Sequence, residues 1–592
     1  MSKKKNNSSI NRVLTQMVLD IFEQNGNTPL NYKQVAAKLN IHDPEDRDII
    51  LDILKDQAFA GVLKEHPHGK FQLLELKTFV EGVVDMTNDG SAFIVTDDES
   101  ESDIFVAPRK LRNALNGDRV KVYVYAKSRG KNKEGEVIEI LQRAKMEFTG
   151  IVKLSERFAF FIPDDRKMMH DIFIPISQLH GAKNGIKAIA EITDWPADAK
   201  NPIGRIKHIL GKQGENDTEM NAILAEYGFP LSFTSEVEHE SEEIPEVITS
   251  EEIAKRRDFR NVTTFTIDPF DAKDFDDALS FKQLDNGNYE VGVHIADVSH
   301  YIKPDSALDK EAEDRGTSVY LVDRVIPMLP ERLSNGLCSL RPKEDKLCFA
   351  AVFEMDEEAH VINEWFGKTI IHSDRRFAYE EVQEIIESKQ GDFAPEIEKL
   401  NALAYKLRDR KFKNGAISFE TTEVKFKLDE HGKPLGVYVK ERKDAHKLIE
   451  DFMLLANRKV AEYVSKLGKG KHRYTFVYRV HDTPKPDALA NFAQFAARFG
   501  YRINTKSDKE TARSLNYLME DVEGKKEQNV LTQLAIRSMA KAIYTTKSSS
   551  HYGLAFDHYA LYLPYSPLPR RDGAPAFVSL PKRRAIGECR AL

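Results

Sequence analysis

Apolar residues recur at helical spacing in the first part of the chain. They return every three or four positions in three stretches, which predicts helices over Ile10–Gln24, Tyr32–Leu39 and Pro44–Gln57. The next stretch, Val62–Leu73, alternates apolar and polar residues around a Pro-His-Gly turn, as two short strands would. Helices followed by a small β wing predict a winged-helix domain over residues 1–75. Such domains bind nucleic acid in some proteins and pack against protein in others, and this pattern leaves both roles open.

An internal repeat with strand-like alternation follows. The stretch Glu81–Pro108 contains three short β-rich runs that recur in the same order in Thr149–Pro175. The two copies resemble tandem cold-shock barrels of the OB type, at residues 76–143 and 144–212. Their aromatic residues either fill the barrels or stack on bases from the barrel surface. The alternation does not separate these roles for Phe93, Phe105, Phe158, Phe160 and Phe173.

The rest of the chain mixes helical and strand patterns. Residues 213–258 are acidic and are predicted to be a connector. Beyond them, Val262–Ile267 and Tyr289–Val298 read as strands and His446–Lys466 reads as a helix. A mixed α+β domain is therefore predicted over residues 259–559. The expected fold class is a multidomain chain with a winged helix, two OB-type barrels and this α+β domain.

Composition narrows the class of protein. The chain has 592 residues, of which 41% are hydrophobic, and a formal net charge of −7. No apolar stretch approaches the roughly 18 residues that span a bilayer, so we expect a cytoplasmic protein without membrane contact. The three cysteines lack metal-site spacing, and buried thiols are expected at Cys338, Cys348 and Cys589. The net charge does not exclude a nucleic-acid partner, because acidic and basic surfaces can be separated along the chain.

The densest candidate chemistry is a run of aspartates. Five carboxylates fall within ten residues, starting where Pro269 stops the strand that ends at Asp268. Crowded carboxylates repel one another unless a cation lies among them, and hard oxygen ligands suit Mg²⁺ or Mn²⁺. An acidic solvated loop or a calcium loop is the alternative, although the glycine and glutamate of a calcium loop are missing. The pattern therefore favours metal-assisted phosphoryl chemistry at Asp268, Asp271, Asp274, Asp276 and Asp277.

The aspartate run resembles the signature of the ribonuclease II and ribonuclease R family of 3′-to-5′ exoribonucleases. Asp268, Asp274, Asp276 and Asp277 match its four acidic positions. Further matching blocks are His294–Ser299, Arg315–Tyr320, Pro327–Ser339, His446–Glu450 and Tyr478–Asp482.

The resemblance implies a function and a set of roles. It implies two-metal hydrolysis of single-stranded RNA to nucleoside 5′-monophosphates by a monomer. Metal ligation is implied for Asp268, Asp274 and Asp277, and a catalytic role for Asp276. Base stacking is implied for Tyr320, with Phe419 as a candidate for the opposing stack. Other residues in or beside the matching blocks either line an RNA channel or are buried polar groups of the domain; these are Glu450, Asn457, Arg479 and His481.

The resemblance stops after Tyr559. Dropping the first base of one allowed back-translation of the segment from Ala560 gives codons for the family's continuation. This predicts a reading-frame shift at about Ala560, an out-of-frame tail over residues 560–592 and an incomplete catalytic domain. The alternatives to an active exoribonuclease are a catalytically impaired RNA-binding remnant and a DNA-binding regulator that uses the winged helix.

Overall fold

A computed structural model of the chain describes residues 14–15, 17–22, 28–59, 63–73, 78–97, 102–125, 133–196, 199–418, 423–429, 432–467 and 476–561. Phe419, Cys589 and the tail from residue 562 lie outside these ranges. The chain divides at Gly228 into two compact units.

The first unit begins with helices and a small sheet. They are a helical segment over residues 14–15 and 17–22, β1 (Leu30–Asn31), α1 (Tyr32–Lys38), α2 (Pro44–Phe59), β2 (Leu63–His66) and β3 (Lys70–Leu73). The strands form an antiparallel sheet in the order β1-β3-β2. A capping box starts α1, in which Asn31 Oδ1 accepts a hydrogen bond from the Gln34 amide at 3.0 Å and the Gln34 side chain accepts one from the Asn31 amide. Gly69 turns the β2–β3 hairpin with a φ of +65°. The winged-helix assignment itself stays a prediction.

Two closed five-stranded barrels follow and confirm the predicted OB-type pair. The first has the strand order β4-β5-β6-β8-β7 and the second β10-β11-β13-β12-β9. Their strands are β4 (Thr78–Met86), β5 (Ala92–Thr96), β6 (Ile104–Val106), β7 (Arg119–Val124), β8 (Lys133–Gln142), β9 (Glu147–Leu154), β10 (Phe158–Pro163), β11 (Ile172–Pro175), β12 (Ile186–Asp194) and β13 (Ile203–Lys212). The repeat keeps a glycine in β4 and β9 because a Cβ there would collide with the neighbouring strand's backbone: Gly82 against Val95 and Gly150 against Ile162.

The acidic segment 213–258 contains three helices, α3 (Asn216–Glu226), α4 (Ser235–Glu243) and α5 (Ser250–Ala254). Helix α3 packs on the second barrel, where Glu219 pairs with Lys187. Helix α4 belongs to the second unit, where the Glu240 carboxylate accepts a hydrogen bond from the Leu308 amide at 3.0 Å.

The second unit is built on one seven-stranded sheet, ordered β14-β21-β20-β17-β16-β15-β22. The strands are β14 (Arg257–Asp258), β15 (Thr264–Asp268), β16 (Asp277–Gln283), β17 (Tyr289–Ala296), β20 (Asp345–Met355), β21 (Val361–His372) and β22 (Arg375–Ala378). Both outer pairs, β14 with β21 and β15 with β22, are parallel, and the inner pairs are antiparallel. Successive buried side chains along the strands lie on opposite faces, so each face of the sheet has its own apolar core.

Helices and short elements cover and extend this sheet. They are α6 (Val298–Tyr301), α7 (Ala307–Arg315), β18 (Val319–Tyr320), β19 (Val325–Ile326), a π-helical turn (Arg332–Leu337), α8 (Tyr379–Ser388), α9 (Ala394–Lys413), β23 (Glu423–Leu428), β24 (Pro434–Lys440), α10 (Asp444–Lys466), β25 (Tyr478–Val480), α11 (Pro486–Ala497), α12 (Asp508–Val522), α13 (Gln528–Ser538) and β26 (Ile543–Thr545). Helices α8, α9 and α10 share one core with the sheet, and α11, α12 and α13 form a separate small core. Ala560 is buried in the first of these cores. Cys338 and Cys348 are buried free thiols, as predicted.

Among the described residues, no helix has both the length and the apolar character needed to cross a bilayer.

A buried ion pair joins the start of the sheet to the end of β17. Arg256 Nη2 donates to Asp297 Oδ2 at 2.7 Å, and both side chains are excluded from solvent. Lys368 Nζ lies 3.1 Å from the same oxygen. Burial raises the pKa of Asp297, but Lys368 and Arg256 outweigh that effect and lower it. Asp297 therefore stays ionised inside the protein.

We predict that Arg256→Met destabilises the second unit by about 3 to 5 kcal/mol, because it removes one of the two cations that compensate the buried Asp297 carboxylate. The measurement is thermal unfolding of the full chain. The control is Arg260→Met, which removes a partly exposed pair with Asp258 and should cost less than about 1 kcal/mol. Equal melting temperatures for the two variants would contradict the prediction.

Candidate active site

The fold places the aspartate run at one end of two neighbouring strands. Strand β15 ends at Asp268 and β16 begins at Asp277, and the strands are antiparallel, with Phe265 opposite Leu279. The loop between them carries Asp271, Asp274 and Asp276. The predicted strand that ends at an aspartate is therefore present.

The loop is anchored in the core by Phe275, its one buried aromatic side chain. The Phe275 amide donates to Ser339 Oγ at 3.0 Å, and Ser339 Oγ donates to the Lys273 carbonyl at 3.0 Å. The Asp276 carbonyl accepts a hydrogen bond from the Ala296 amide at 3.0 Å. The matching block that ends at Ser339 thus positions the carboxylates, a role that the sequence did not reveal.

Desolvation, and then the neighbouring carboxyl groups, raise the pKa values of three of these aspartates. Asp268 is 8% exposed, and its burial raises the pKa to about 6. The pKa of Asp277 rises to about 7 through burial and then through Asp268 and Asp276. Asp276 is exposed at the surface of the loop, yet desolvation by the surrounding protein, with Asp274 and Asp268, raises its pKa to about 6. These groups lie close enough that they resist ionising together.

The donor set suits a hard divalent cation. All the donors are carboxylate oxygens, and Asp268 Oδ2 is buried with no hydrogen-bond partner in the part of the chain that the structure describes. Within the same ranges, no three His, Cys, Asp or Glu side chains are grouped closely enough to hold a metal ion as they stand. The chemistry of the aspartates fits an ion, and ligation requires their side chains to turn toward a common centre.

Tyr320 reaches this loop from a distant part of the sequence. It ends strand β18, is 63% exposed, and donates its hydroxyl hydrogen to Asp274 Oδ2 at 2.8 Å. Burial of the hydroxyl and the bond to Asp274 raise the pKa of Tyr320. Its ring is open to solvent beside the carboxylates. Phe419, predicted to stack opposite, lies outside the described residues.

Two further side chains at the site were not found from the sequence. Arg376 in β22 donates to the carbonyls of Pro269 and Phe270, the latter at 2.7 Å, and so holds the loop just after Asp268. Tyr379 stacks on His446 with ring centroids 4.1 Å apart. Burial raises the pKa of Tyr379 to about 12, and Asp277 and Asp268 add to that rise. Both residues are brought to the site because β15 pairs in parallel with β22, a pairing that no local sequence pattern indicates.

The remaining predicted residues have protein partners. Glu450 on α10 pairs with Arg442. The Arg479 guanidinium lies 4.3 Å from the centre of the Tyr544 ring. Both ring nitrogens of His481 are hydrogen-bonded to the backbone, at Ala540 and Gly553. These contacts favour the buried-polar role for His481, and an RNA contact stays a prediction for Glu450 and Arg479. Asn457 is buried, 3.4 Å from the Tyr559 hydroxyl.

The barrel aromatics lie outside the barrel cores. Phe93 and Phe105 are half-buried while their neighbours on the same strands are buried, and their rings are 5.6 Å apart. Phe158, Phe160 and Phe173 form the matching group on the second barrel, with ring centroids 5.5 to 6.0 Å apart. Partly exposed aromatic clusters on OB-type strands are suited to base stacking.

Comparisons with protein families match three parts of the chain. The RNB domain matches residues 256–570, a Cold shock domain matches 160–234, and the Ribonuclease B OB domain matches 82–140.

Relatives of known name cover most of the chain. Ribonuclease R 1 of Lactococcus lactis is 33% identical over 94% of this chain and 70% of its own length. Ribonuclease R of Thermotoga maritima is 36% identical over 89% of this chain and 74% of its own length. The solved RNase R of Mycoplasma genitalium in complex with ribose-methylated single-stranded RNA shares the fold, with a TM-score of 0.73 and 22% identity over 85% of this chain and 78% of that one. The chain therefore belongs to the ribonuclease R family of RNB-domain proteins.

Proposed function

We propose that this chain degrades single-stranded RNA from its 3′ end to nucleoside 5′-monophosphates, at the end of strands β15 and β16. The observation that supports this most is the buried, unpaired oxygen of Asp268 among carboxyl groups whose pKa values are raised to about 6 or 7. Family membership supports the reaction, since the relatives are named ribonuclease R. The aspartate site and the family membership both imply a divalent metal ion as the cofactor.

The reaction is the hydrolysis of the last phosphodiester bond. Water attacks phosphorus, the bond to the 3′ oxygen of the preceding nucleotide breaks, and that oxygen takes a proton. Divalent ions, when bound, activate the water and stabilise charge on the leaving oxygen. The residues that would hold them are Asp268, Asp274 and Asp277, and Asp276 is assigned the catalytic position.

Other residues of the chain position these groups. Tyr320 orients Asp274 through its hydroxyl and offers an exposed ring to the terminal base. Arg376 fixes the backbone after Asp268, and Ser339 fixes it before Asp276. A terminal nucleotide stacked on Tyr320 would therefore lie beside the carboxylates.

The barrels supply sequence-independent contacts to the RNA strand. Their partly exposed aromatic clusters suit bases of any identity, because every base has a π face. The M. genitalium relative is seen with single-stranded RNA bound, which agrees with this substrate. A winged helix at residues 1–75, magnesium as the preferred ion, a cytoplasmic location and a monomeric state are further parts of the proposal.

Metal-dependent release of monophosphates distinguishes this function from its alternatives. An RNA-binding remnant would bind RNA without cleaving it. A DNA-binding regulator would leave the aspartate site without a use. The raised pKa values and family membership favour the enzyme.

We predict that Asp276→Asn abolishes nucleotide release and leaves RNA affinity within a few-fold, because the carboxylate acts in the transition state more than in binding. Release of monophosphates and RNA binding are measured in parallel. The control is Asp271→Asn, which neutralises an exposed carboxylate of the same loop outside the family's four positions. Equal cleavage by Asp276→Asn and the parent would remove Asp276 from the catalytic assignment.

Replacing Tyr320 separates its two contacts. Tyr320→Phe keeps the ring but loses the hydrogen bond to Asp274, so we expect slower cleavage with an unchanged final oligonucleotide length. Tyr320→Ala also loses the stack, worth about 1 to 3 kcal/mol, and should change that length and weaken binding of short RNA. If both substitutions leave the end product, the cleavage rate and the RNA affinity unchanged, Tyr320 has only a structural packing role.

The metal-free chain should lose stability as pH rises. A carboxyl whose pKa is raised in the folded state favours folding in its protonated form, so its contribution falls from about pH 4 to above pH 7. Asp277→Asn mimics the protonated group and should match the parent only below about pH 4, where the Asp277 carboxyl is protonated in both the folded and the unfolded chain. Between pH 5 and pH 8 the stability advantage of the variant should grow by on the order of 2 kcal/mol. Chemical unfolding in a chelating buffer measures the difference, and a gap that does not grow with pH would contradict it.

A further inference from the structure

A cavity of about 350 Å³ lies between the two barrels. The first barrel contributes the turn after β4 and the segment after β6. The second contributes the loop between β10 and β11 and the residue that follows β12, Trp195. The cavity is therefore formed wholly within the barrel pair.

Direct contacts between the barrels fix the walls of this cavity. Lys167 Nζ of the second barrel donates to Asp85 Oδ1 at 2.9 Å and to Asn116 Oδ1 at 3.2 Å, both on the first. Asn113 Nδ2 donates to the Trp195 carbonyl at 3.3 Å. These hydrogen bonds between the two barrels hold the walls of the cavity in place.

The lining combines aromatic and apolar surface with two exposed arginines, Arg109 and Arg112. Trp195 and His170 meet edge to face, with ring centroids 5.3 Å apart, and buried Met86 and Leu111 add apolar surface. Burial and the nearby Lys200 lower the pKa of His170, which leaves its ring neutral.

The charged groups of the lining are Arg109, Arg112, Lys167 and Asp89. The Asp89 carboxylate is already engaged, because it accepts hydrogen bonds from the Thr87 and Ser91 hydroxyls. Arg109 is exposed at the rim. Lys167 is paired with Asp85 and Arg112 Nη1 donates to the Ile138 carbonyl, so Arg109 and the remaining N–H groups of Arg112 are the cationic donors that a bound anion could reach.

We propose that this cavity binds a single nucleotide, with its base against the Trp195 and apolar walls and its phosphate at Arg109 and Arg112. A flat aromatic base and a phosphate match this combination of lining groups, and the volume falls in the range of pockets for small ligands, about 300 to 1,000 Å³. The nucleotide comes from one of two sources, a free nucleoside monophosphate or one residue of an RNA strand. The site is separate from the aspartates and adds a second nucleotide site to the chain.

The chain's two tryptophans allow a direct test. In a Trp365→Phe background, Trp195 is the sole tryptophan, and its fluorescence reports on the cavity. Adenosine monophosphate and a short single-stranded RNA are titrated separately into the full chain without divalent metal, so hydrolysis does not intervene. This readout is independent of whether the proposed nuclease function holds. We expect a saturable change with the monophosphate, with the RNA, or with both.

Charge reversal at the rim tests the location. Arg109→Glu should raise the dissociation constant for the responding ligand about tenfold by removing a charge-assisted contact. The matched control is Arg205→Glu, an exposed arginine of the second barrel that does not line the cavity. A response to the monophosphate identifies a free-nucleotide site, and an Arg109-dependent response to RNA alone identifies a site for a strand residue. The proposal is overturned if neither ligand gives a saturable change, or if Arg109→Glu binds as tightly as Arg205→Glu in a chain with an unchanged melting temperature.

Discussion

Crowding of desolvated carboxylates at the end of β15 and β16 is the constraint on which the candidate site depends. Desolvation first, and then neighbouring carboxylates, raise the pKa values of Asp268, Asp276 and Asp277 to about 6 or 7, so these groups resist ionising together. Backbone hydrogen bonds from Ser339 and Arg376 hold the loop in place on both sides. A cation bound among these carboxylates would favour their ionised forms, so metal binding and ionisation of the site are coupled.

Much of the family's signature serves this scaffold rather than the chemistry. His294 lies in the sheet between Ser280 Oγ at 2.9 Å and Thr369 Oγ1 at 3.1 Å, and burial lowers its pKa to about 3. It is a neutral hydrogen-bonding group in the core. Asp297, three residues later, is ionised but closed off by Arg256. Polar residues that look catalytic in a sequence block are here the groups that align β17 with its neighbours.

Local sequence patterns predicted the secondary-structure elements and the barrels, but they did not predict the contacts between residues that are distant in the chain. The strand that ends at Asp268, the helix that ends at Lys466 and the two barrels are set by alternation, by Pro269 and by glycines that allow close strand approach. The outward position of Phe93 was undecidable, since alternation gives two faces without saying which is buried. The contact of Tyr320 with Asp274 spans 46 residues. It and the approach of Arg376 depend on tertiary structure that no local pattern encodes.

In the proposed mechanism, the bond between Tyr320 and Asp274 would link the recognition of RNA to its cleavage. The ring that would stack on a terminal base and the hydroxyl that orients a metal-binding carboxylate belong to one side chain. A base stacked on that ring reaches the carboxylates whatever its identity, because stacking does not depend on hydrogen-bond pattern. Stacking on the aromatic clusters of the barrels would likewise be independent of base identity. A net charge of −7 is compatible with this mode of binding, because stacking of bases on aromatic rings does not require an excess of basic residues.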